Sequence, residues 1–322
     1  MRTTRRIDLK DDGAIAALLM CLREGGLAAV PTETVYGLAA DAANGQAVAG
    51  IFEAKGRPRF NPLICHVSDL AMAERYARFD DVSRRLAERF WPGPLTLVLP
   101  AIPDAGLHPL VMGGLDTVAL RAPQGPFRSV ISALGRPIAA PSANRSGRVS
   151  PTTAEHVLRT LEGRIDLLAD GGATEQGLES TIVRAFDDHI RLLRPGTLTA
   201  ERIEAEAGLP VLRRDESDAI SAPGQLLSHY APAGRVRLGA IAPEPGEYWI
   251  GFGPEPDAGL ESAGGSFNLS PSGDLREAAS RLFAALSAFD APEIERIAVA
   301  SIPSDGLGEA INDRLRRAAA DR

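Results

Sequence analysis

Several short segments carry side chains whose types and spacing suit phosphate chemistry. The first reads Lys55-Gly56-Arg57-Pro58-Arg59-Phe60-Asn61-Pro62, with His66 shortly after it. Lys55 and Arg57 supply positive charge to a phosphate, and Asn61 carries both a donor and an acceptor. Gly56 allows close approach of a ligand, while Pro58 and Pro62 restrict the loop, so a site can be held before binding. Solvated basic side chains, and a His66 simply packed in its apolar run, are the plainer alternatives. The second segment, Pro141-Ser142-Ala143-Asn144-Arg145-Ser146-Gly147, extends to Ser150 and follows an expected strand, a natural place for a ligand crevice. Small hydroxyls and exposed amides can surround a phosphate there, although Ser and Asn are also ordinary turn formers. Ser180-Thr181 and Arg194-Pro195-Gly196 repeat the combination of hydroxyl, cation and turn at later strand ends.

Other chemistries find little support. There is no nucleophile elbow and no full Gly-x-x-x-x-Gly-Lys-Ser/Thr loop. The five histidines have no metal-binding spacing, so no dedicated metal site is expected, and Gly171-Gly172 reads as a sheet turn. A reaction centred on phosphate needs none of these, because positioning and charge stabilisation do much of the work.

The elements that must position these residues alternate between strand and helix. Strands are expected at 27–30, 63–67, 95–99, 117–121, 137–140, 165–168, 181–183 and 190–193. Helices are expected at 13–24, at 46–54, in two segments over 69–90 ended by Trp91-Pro92-Gly93-Pro94, and after a Thr152-Thr153-Ala154-Glu155 capping box. This pattern predicts one continuous α/β domain over 1–212. Residues 213–234 are first charged and then rich in Ser, Pro, Gly and Ala; they read as an ordered connector or lid, with an inert linker as the alternative. Strands at 235–240, 248–252 and 297–300, with helices from Asp274 and over 306–319, give a smaller α/β unit at 235–322. In the first of those helices Leu275, Ala278, Ala279, Leu282, Phe283 and Leu286 are spaced as a buried face.

With 322 residues, 44% of them hydrophobic, the chain has material for two cores and is not a disordered protein. The formal charge of −7, without a long basic tract, argues against broad duplex nucleic-acid binding but leaves room for a local basic pocket. Cys21 and Cys65 read as small buried residues rather than a disulfide or catalytic pair. No stretch has the apolar length of a membrane span, and the expectation is a soluble cytoplasmic protein.

Taken together, the motifs resemble the threonylcarbamoyl-adenylate synthase family, the YrdC-like group in its longer, two-domain form. The resemblance rests on Pro31-Thr32-Glu33-Thr34-Val35-Tyr36-Gly37-Leu38, on Lys55-Gly56-Arg57-Pro58 with Asn61-Pro62-Leu63, and on Trp91-Pro92-Gly93-Pro94-Leu95-Thr96. The Pro141 to Gly147 segment, Ser180-Thr181-Ile182-Val183 and Leu193-Arg194-Pro195-Gly196 continue it. It extends through Ser221-Pro223-Gly224, His229-Tyr230-Ala231-Pro232 and the tail Gly306-Leu307-Gly308, Ala310-Ile311 and Asp313-Arg314-Leu315.

The family implies a twisted mixed sheet with flanking helices and a smaller C-terminal α/β domain. It implies ATP, L-threonine and bicarbonate as substrates, magnesium accompanying ATP, and L-threonylcarbamoyladenylate and pyrophosphate as products. That adenylate feeds tRNA threonylcarbamoyladenosine formation, with transient contact to the downstream transfer machinery and no requirement that this chain bind tRNA or membrane. Carried over residue by residue, the resemblance puts Thr34 and Arg121 at the threonine end, with Thr32 an alternative hydroxyl and with Asn61, His66 and Ser180 enclosing the amino acid or its carbamate. Lys55, Arg57, Thr117, Ser142, Ser150 and Arg194 fall on the ATP and phosphate side, with Lys55 and Arg57 stabilising charge, and Tyr230 closes over the nucleotide. Ala140 departs from relatives that present a small hydroxyl there, so only its backbone can contribute. Two other functions are compatible with such a chain: a nucleotide- or RNA-binding module without synthesis, and a carbamoyl-transfer enzyme using another donor.

Overall fold

The computed structural model describes residues 2–214, 222–225 and 229–321. Ser221 and residues 215–220 and 226–228 of the expected connector lie outside them. The larger sheet is built from β1 (Arg5–Asp8), β2 (Ala28–Val30), β3 (Gly37–Asp41), β4 (Ile64–His66), β5 (Leu95–Pro100) and β6 (Thr117–Arg121). It is completed by β7 (Ile138–Ala139), β8 (Leu167–Asp170), β9 (Thr181–Ala185), β10 (Ile190–Arg194) and β11 (Val211–Arg213). The order is β1-β8-β2-β3-β7-β4-β6-β5-β9-β10-β11. Parallel pairs such as β4 with β6 occur beside antiparallel ones such as β5 with β6. The sheet is therefore mixed, and β11 carries it one residue past the expected boundary at Leu212.

Helices α1 (Ala14–Arg23), α2 (Gly45–Lys55), α3 (Leu70–Ala73), α4 (Asp81–Phe90), α5 (Pro126–Leu134), α6 (Ala154–Leu161) and α7 (Ala200–Ala207) flank it. Their apolar faces, including Leu18, Leu22, Val48, Ile51, Val130 and Ile131, are buried in one core with the sheet. The ends of α2 show how local chemistry sets the site. Asn44 caps its start by accepting from the Gln46 and Ala47 amides, and Gly56 ends it with a left-handed φ of 60°. Lys55 is thus the last helical residue and Arg57 turns at once into the loop.

Two expectations are corrected. The capping box does not form as spaced: α6 starts one residue later than that box requires, and Thr153 accepts from the His156 amide at 3.3 Å. The residue at the box's acidic position is then His156, while Glu155 pairs with Arg6 at 2.7 Å. The strand at 27–30, expected to be the first, is preceded by β1, which pairs with β8.

The smaller unit has β12 (Arg235–Ala240), β13 (Tyr248–Gly251), β14 (Gly265–Asn268) and β15 (Arg296–Ala300) in the order β12-β15-β13-β14, all parallel. With it go α8 (Leu275–Ala288), capped by Asp274, and α9 (Leu307–Ala319). Of the face read from α8, Ala278, Ala279, Leu282, Phe283 and Leu286 are buried and Leu275 partly so. Their cluster also takes in Val35, Val149 and Leu178 from the larger unit, so one hydrophobic core joins the two. Gly177 permits this approach: a Cβ there would stand 2.4 Å from the Ser280 carbonyl oxygen. Phe283→Ala is expected to destabilise the chain by about 3–5 kcal/mol, since it empties a fully enclosed site in that shared core, as urea unfolding will measure.

Candidate active site

Strand ends and turns converge on one cleft lined by Thr32, Thr34, Val35, Arg57, His66, Arg121, Ser142, Ser180 and Arg194 among others. His66 and Arg121 are in register at the ends of β4 and β6. Ser180 precedes β9 and Arg194 ends β10, while Ser142 follows β7. The enclosed volume is about 50 Å3, room for a few waters. Pro223, Gly224 and His229 form part of its wall.

At one end Arg121 is buried among fixed partners. Its Nε donates to the Gly93 carbonyl at 3.1 Å and one terminal nitrogen donates to Thr34 Oγ1 at 2.9 Å. The other terminal nitrogen pairs with Glu33 at 2.7 Å. Of the five N–H groups of a guanidinium, two remain for an incoming anion. The Thr34 and Thr32 hydroxyls lie 2.8 Å apart, and Thr32 donates on to the Val35 carbonyl. His66 packs beside Phe127 with ring centres 5.7 Å apart.

At the other end Arg57 donates to the Asn61 carboxamide oxygen and the Pro62 carbonyl, both at 2.7 Å. Asn61 thus holds Arg57 and is not itself among the cleft-lining residues. Arg194 donates through Nε and a terminal nitrogen to the Ser180 carbonyl, and Ser180 Oγ lies 2.8 Å from Thr96 Oγ1. Arg57 is pushed down to about 10 by burial and then by the like charge of Arg194. Two buried guanidiniums that disfavour each other's charge make a site an anion would stabilise. Lys55 stands behind this end: its ammonium donates to the Ser142 and Asn144 carbonyls at 2.6 and 2.5 Å. It thereby ties down the Ser142 turn and keeps one of its three donors. Burial, followed by the charge of Arg57, lowers the Lys55 pKa well below the ordinary lysine range.

Ser150 and Tyr230 sit in a layer behind the cleft wall. Ser150 Oγ donates to Glu179 at 2.6 Å, and the fully buried Tyr230 ring meets His229 edge-on at 4.0 Å. Thr117 is not brought to the cleft: it starts β6 and Arg121 ends it, roughly 13 Å along the strand. Ala140 lines the cleft, but its amide already donates to the Ile64 carbonyl, leaving the carbonyl as its polar group. Among the described residues no three His, Cys, Asp or Glu side chains are grouped to hold a metal ion, and no helix is long and apolar enough to cross a membrane.

Glu33, Thr96, Glu179, His229 and Arg314 belong to this network but were given no role from sequence. The available signal was their position inside or beside the quoted motifs. Glu179 stays ionised at about 2: burial opposes this, but Arg314 and Arg194 outweigh it.

His66 and His229 are held neutral at about 3. Burial is the main cause; Arg121 adds to it for His66, and for His229 the charges of Arg57, Lys55 and Arg194 act against Glu179. An imidazole whose pKa drops from 6.5 to about 3 on folding binds more protons unfolded across that window, so stability falls as pH drops through it. With two such imidazoles, unfolding free energy is expected to decline by about 2–3 kcal/mol per pH unit between pH ~6 and pH ~4, as urea titrations at stepped pH will show.

Comparison with known proteins supplies the family. Residues 20–196 match the Sua5/YciO/YrdC model, described as telomere recombination, and residues 198–320 match the threonylcarbamoyl-AMP synthase C-terminal domain. The threonylcarbamoyl-AMP synthase of Bacillus subtilis is 42% identical over 97% of this chain and 94% of its own length. That of Pyrococcus abyssi is 40% identical over 94% and 92%. The crystal structure of P. abyssi Sua5 complexed with L-threonine superposes with a TM-score of 0.87 at 36% identity, covering 98% of this chain and 96% of that one. The matched domains, in this order and over nearly the whole length, show that the chain belongs to the Sua5/YrdC family in its two-domain form.

Proposed function

We propose that this protein is an L-threonylcarbamoyladenylate synthase, converting ATP, L-threonine and bicarbonate to L-threonylcarbamoyladenylate and pyrophosphate for tRNA threonylcarbamoyladenosine formation. The observation that carries the reading is the convergence of three buried guanidiniums, Arg57, Arg121 and Arg194, with hydroxyls on one cleft. One cation suits an amino-acid carboxylate and two suit a polyphosphate. Threonine presents its carboxylate to the two uncommitted N–H groups of Arg121, beside Thr34 and the neutral imidazole of His66. Asn61 holds Arg57 in place, and Ser180 contributes at the junction of the two ends. Bicarbonate captures the threonine amine as N-carboxythreonine with loss of water. The new carboxylate attacks the α-phosphorus; the bond from carbamate oxygen to phosphorus forms as the bond to the β-phosphate oxygen breaks.

Pyrophosphate leaves toward Arg57, Arg194 and Ser142, with the Lys55 ammonium behind them and Tyr230 closing from the connector. Ser150 acts from one layer back by holding Glu179 in place, and Thr117 would have to serve ATP from the far end of β6. Magnesium would be supplied with ATP; Glu179, the one carboxylate lining the cleft among the described residues, has its oxygens engaged by Ser150 and Arg314. The reaction belongs in the cytoplasm, with the adenylate passed by transient contact to the enzyme that modifies tRNA.

The test is pyrophosphate release with ATP, magnesium, L-threonine and bicarbonate, omitting each in turn and identifying the adenylate by mass. Release that needs both threonine and bicarbonate, with the adenylate present, is expected. ATP binding without that product moves the assignment to a binding module or to a different carbamoyl donor.

A further inference from the structure

A buried chain of charges connects the last helix to the cleft. Arg314 on α9 is fully enclosed. Its Nε donates to Glu179 at 3.0 Å, and one terminal nitrogen donates to Asp313 and to the Pro195 carbonyl, each at 2.7 Å. The guanidinium lies 5.4 Å from the centre of the Tyr230 ring. One residue thus touches the neighbours of Ser180 and Arg194 as well as the connector.

Glu179 is the informative partner. Among the described residues it is the one acid lining the cleft, and its charge is felt by both Lys55 and Arg194. An anion there repels a polyphosphate and competes with it for Arg194. In the structure that competition is suppressed: Glu179 pairs with Arg314 and Ser150, while Arg194 donates to Ser180.

We propose that Arg314 is a positioning residue for the reaction, holding Glu179 off Arg194 so that Arg194 stays open to the phosphates of ATP. The inference rests on the reading of Arg57 and Arg194 as the phosphate side. It gives the smaller domain a defined part in nucleotide binding without any contact to substrate. Without Arg314, Glu179 is left a buried charge lacking its counterion, and Arg194 is a cation already close enough to take over.

Calorimetric titration of the full chain with ATP, and separately with threonine, tests this. Arg314→Met is expected to weaken ATP binding at least about twentyfold and to change threonine binding less than about threefold. A general structural defect from the unpaired Glu179 charge would weaken threonine binding along with ATP binding, whereas this mechanism predicts a loss confined to ATP and repaired by removing the competitor. Glu179→Gln combined with Arg314→Met should return ATP affinity to within about fivefold of the parent. The inference is overturned if folded Arg314→Met binds ATP like the parent, or if the double variant binds no more tightly than Arg314→Met. Should Arg314→Met fail to give a cooperative melt, the double variant, with neither buried charge, decides alone: parent-like affinity supports the inference and a loss beyond about twentyfold overturns it. A parent chain that binds no ATP overturns the phosphate-side reading and this inference with it.

Discussion

Arg121→Met is expected to raise the threonine concentration needed for half-maximal turnover by at least about a hundredfold, with ATP dependence changed only a few-fold. Removing one side of a buried, hydrogen-bonded charge pair costs about 2–5 kcal/mol of affinity, and a hundredfold, about 2.7 kcal/mol, lies in the lower part of that range. The geometry makes the loss specific to threonine. Gly93, Thr34 and Glu33 hold the guanidinium on three sides, so its planar fork is fixed in one orientation at the cleft wall. Arg121→Lys keeps the charge but cannot reproduce that fork, so it should recover only part of the affinity.

A stability loss accompanies the same change, because Glu33 is then a buried carboxylate without its counterion, a loss of about 3–5 kcal/mol. Glu33→Gln added to Arg121→Met should regain most of that stability and none of the threonine affinity. Steady-state pyrophosphate release and urea unfolding on the two variants separate these effects. Threonine dependence unchanged in a folded Arg121→Met protein would move the carboxylate site elsewhere in the cleft.

The same residue shows where sequence stops being informative. Arg121 was expected at the end of a strand and His66 within one, their site roles coming from the family resemblance, and the observed register sets them opposite one another. The Lys55 to Pro62 loop was legible because helix stop, glycine and prolines are local signals. Glu33, Glu179 and Arg314 were not, because their roles are pairings. Glu33 meets Arg121 across 88 positions and Glu179 meets Arg314 across 135, and residue type alone says nothing about such partners.

The missed elements have local causes as well. β3 is Gly-Leu-Ala-Ala-Asp, small residues of weak strand preference that are all buried by neighbours. β14, Gly-Ser-Phe-Asn, reads as a turn and is a strand because β13 pairs with it residue by residue. α5 begins after Gly125 with no side-chain cap, and α7 buries only Ala200, Ile203 and Ala207, too thin a stripe to announce a helix.

Ending the chain after Ala233 is expected to lower turnover at least about a thousandfold, the largest effect of any change considered, because several supports of the cleft are lost together. The connector is moored by the domain that would be removed: the His229 amide donates to the Arg317 carbonyl, and the Ala233 amide donates to Asp290 at 2.8 Å. Asp290 also pairs with Arg148, whose neighbour Val149 belongs to the shared core. Truncation strips that core from Val35, which itself lines the cleft, and from Val149 and Leu178. It also removes Arg314 from Glu179. Each loss frees a wall of the site, and misplacement of about 1 Å can cost about a hundredfold. Turnover of the truncated chain, measured on material that still melts cooperatively, checks the expectation. A folded truncation that keeps turnover and ATP affinity within about threefold would mean that residues 1–233 hold the cleft unaided, and that the smaller domain serves a step after adenylate synthesis.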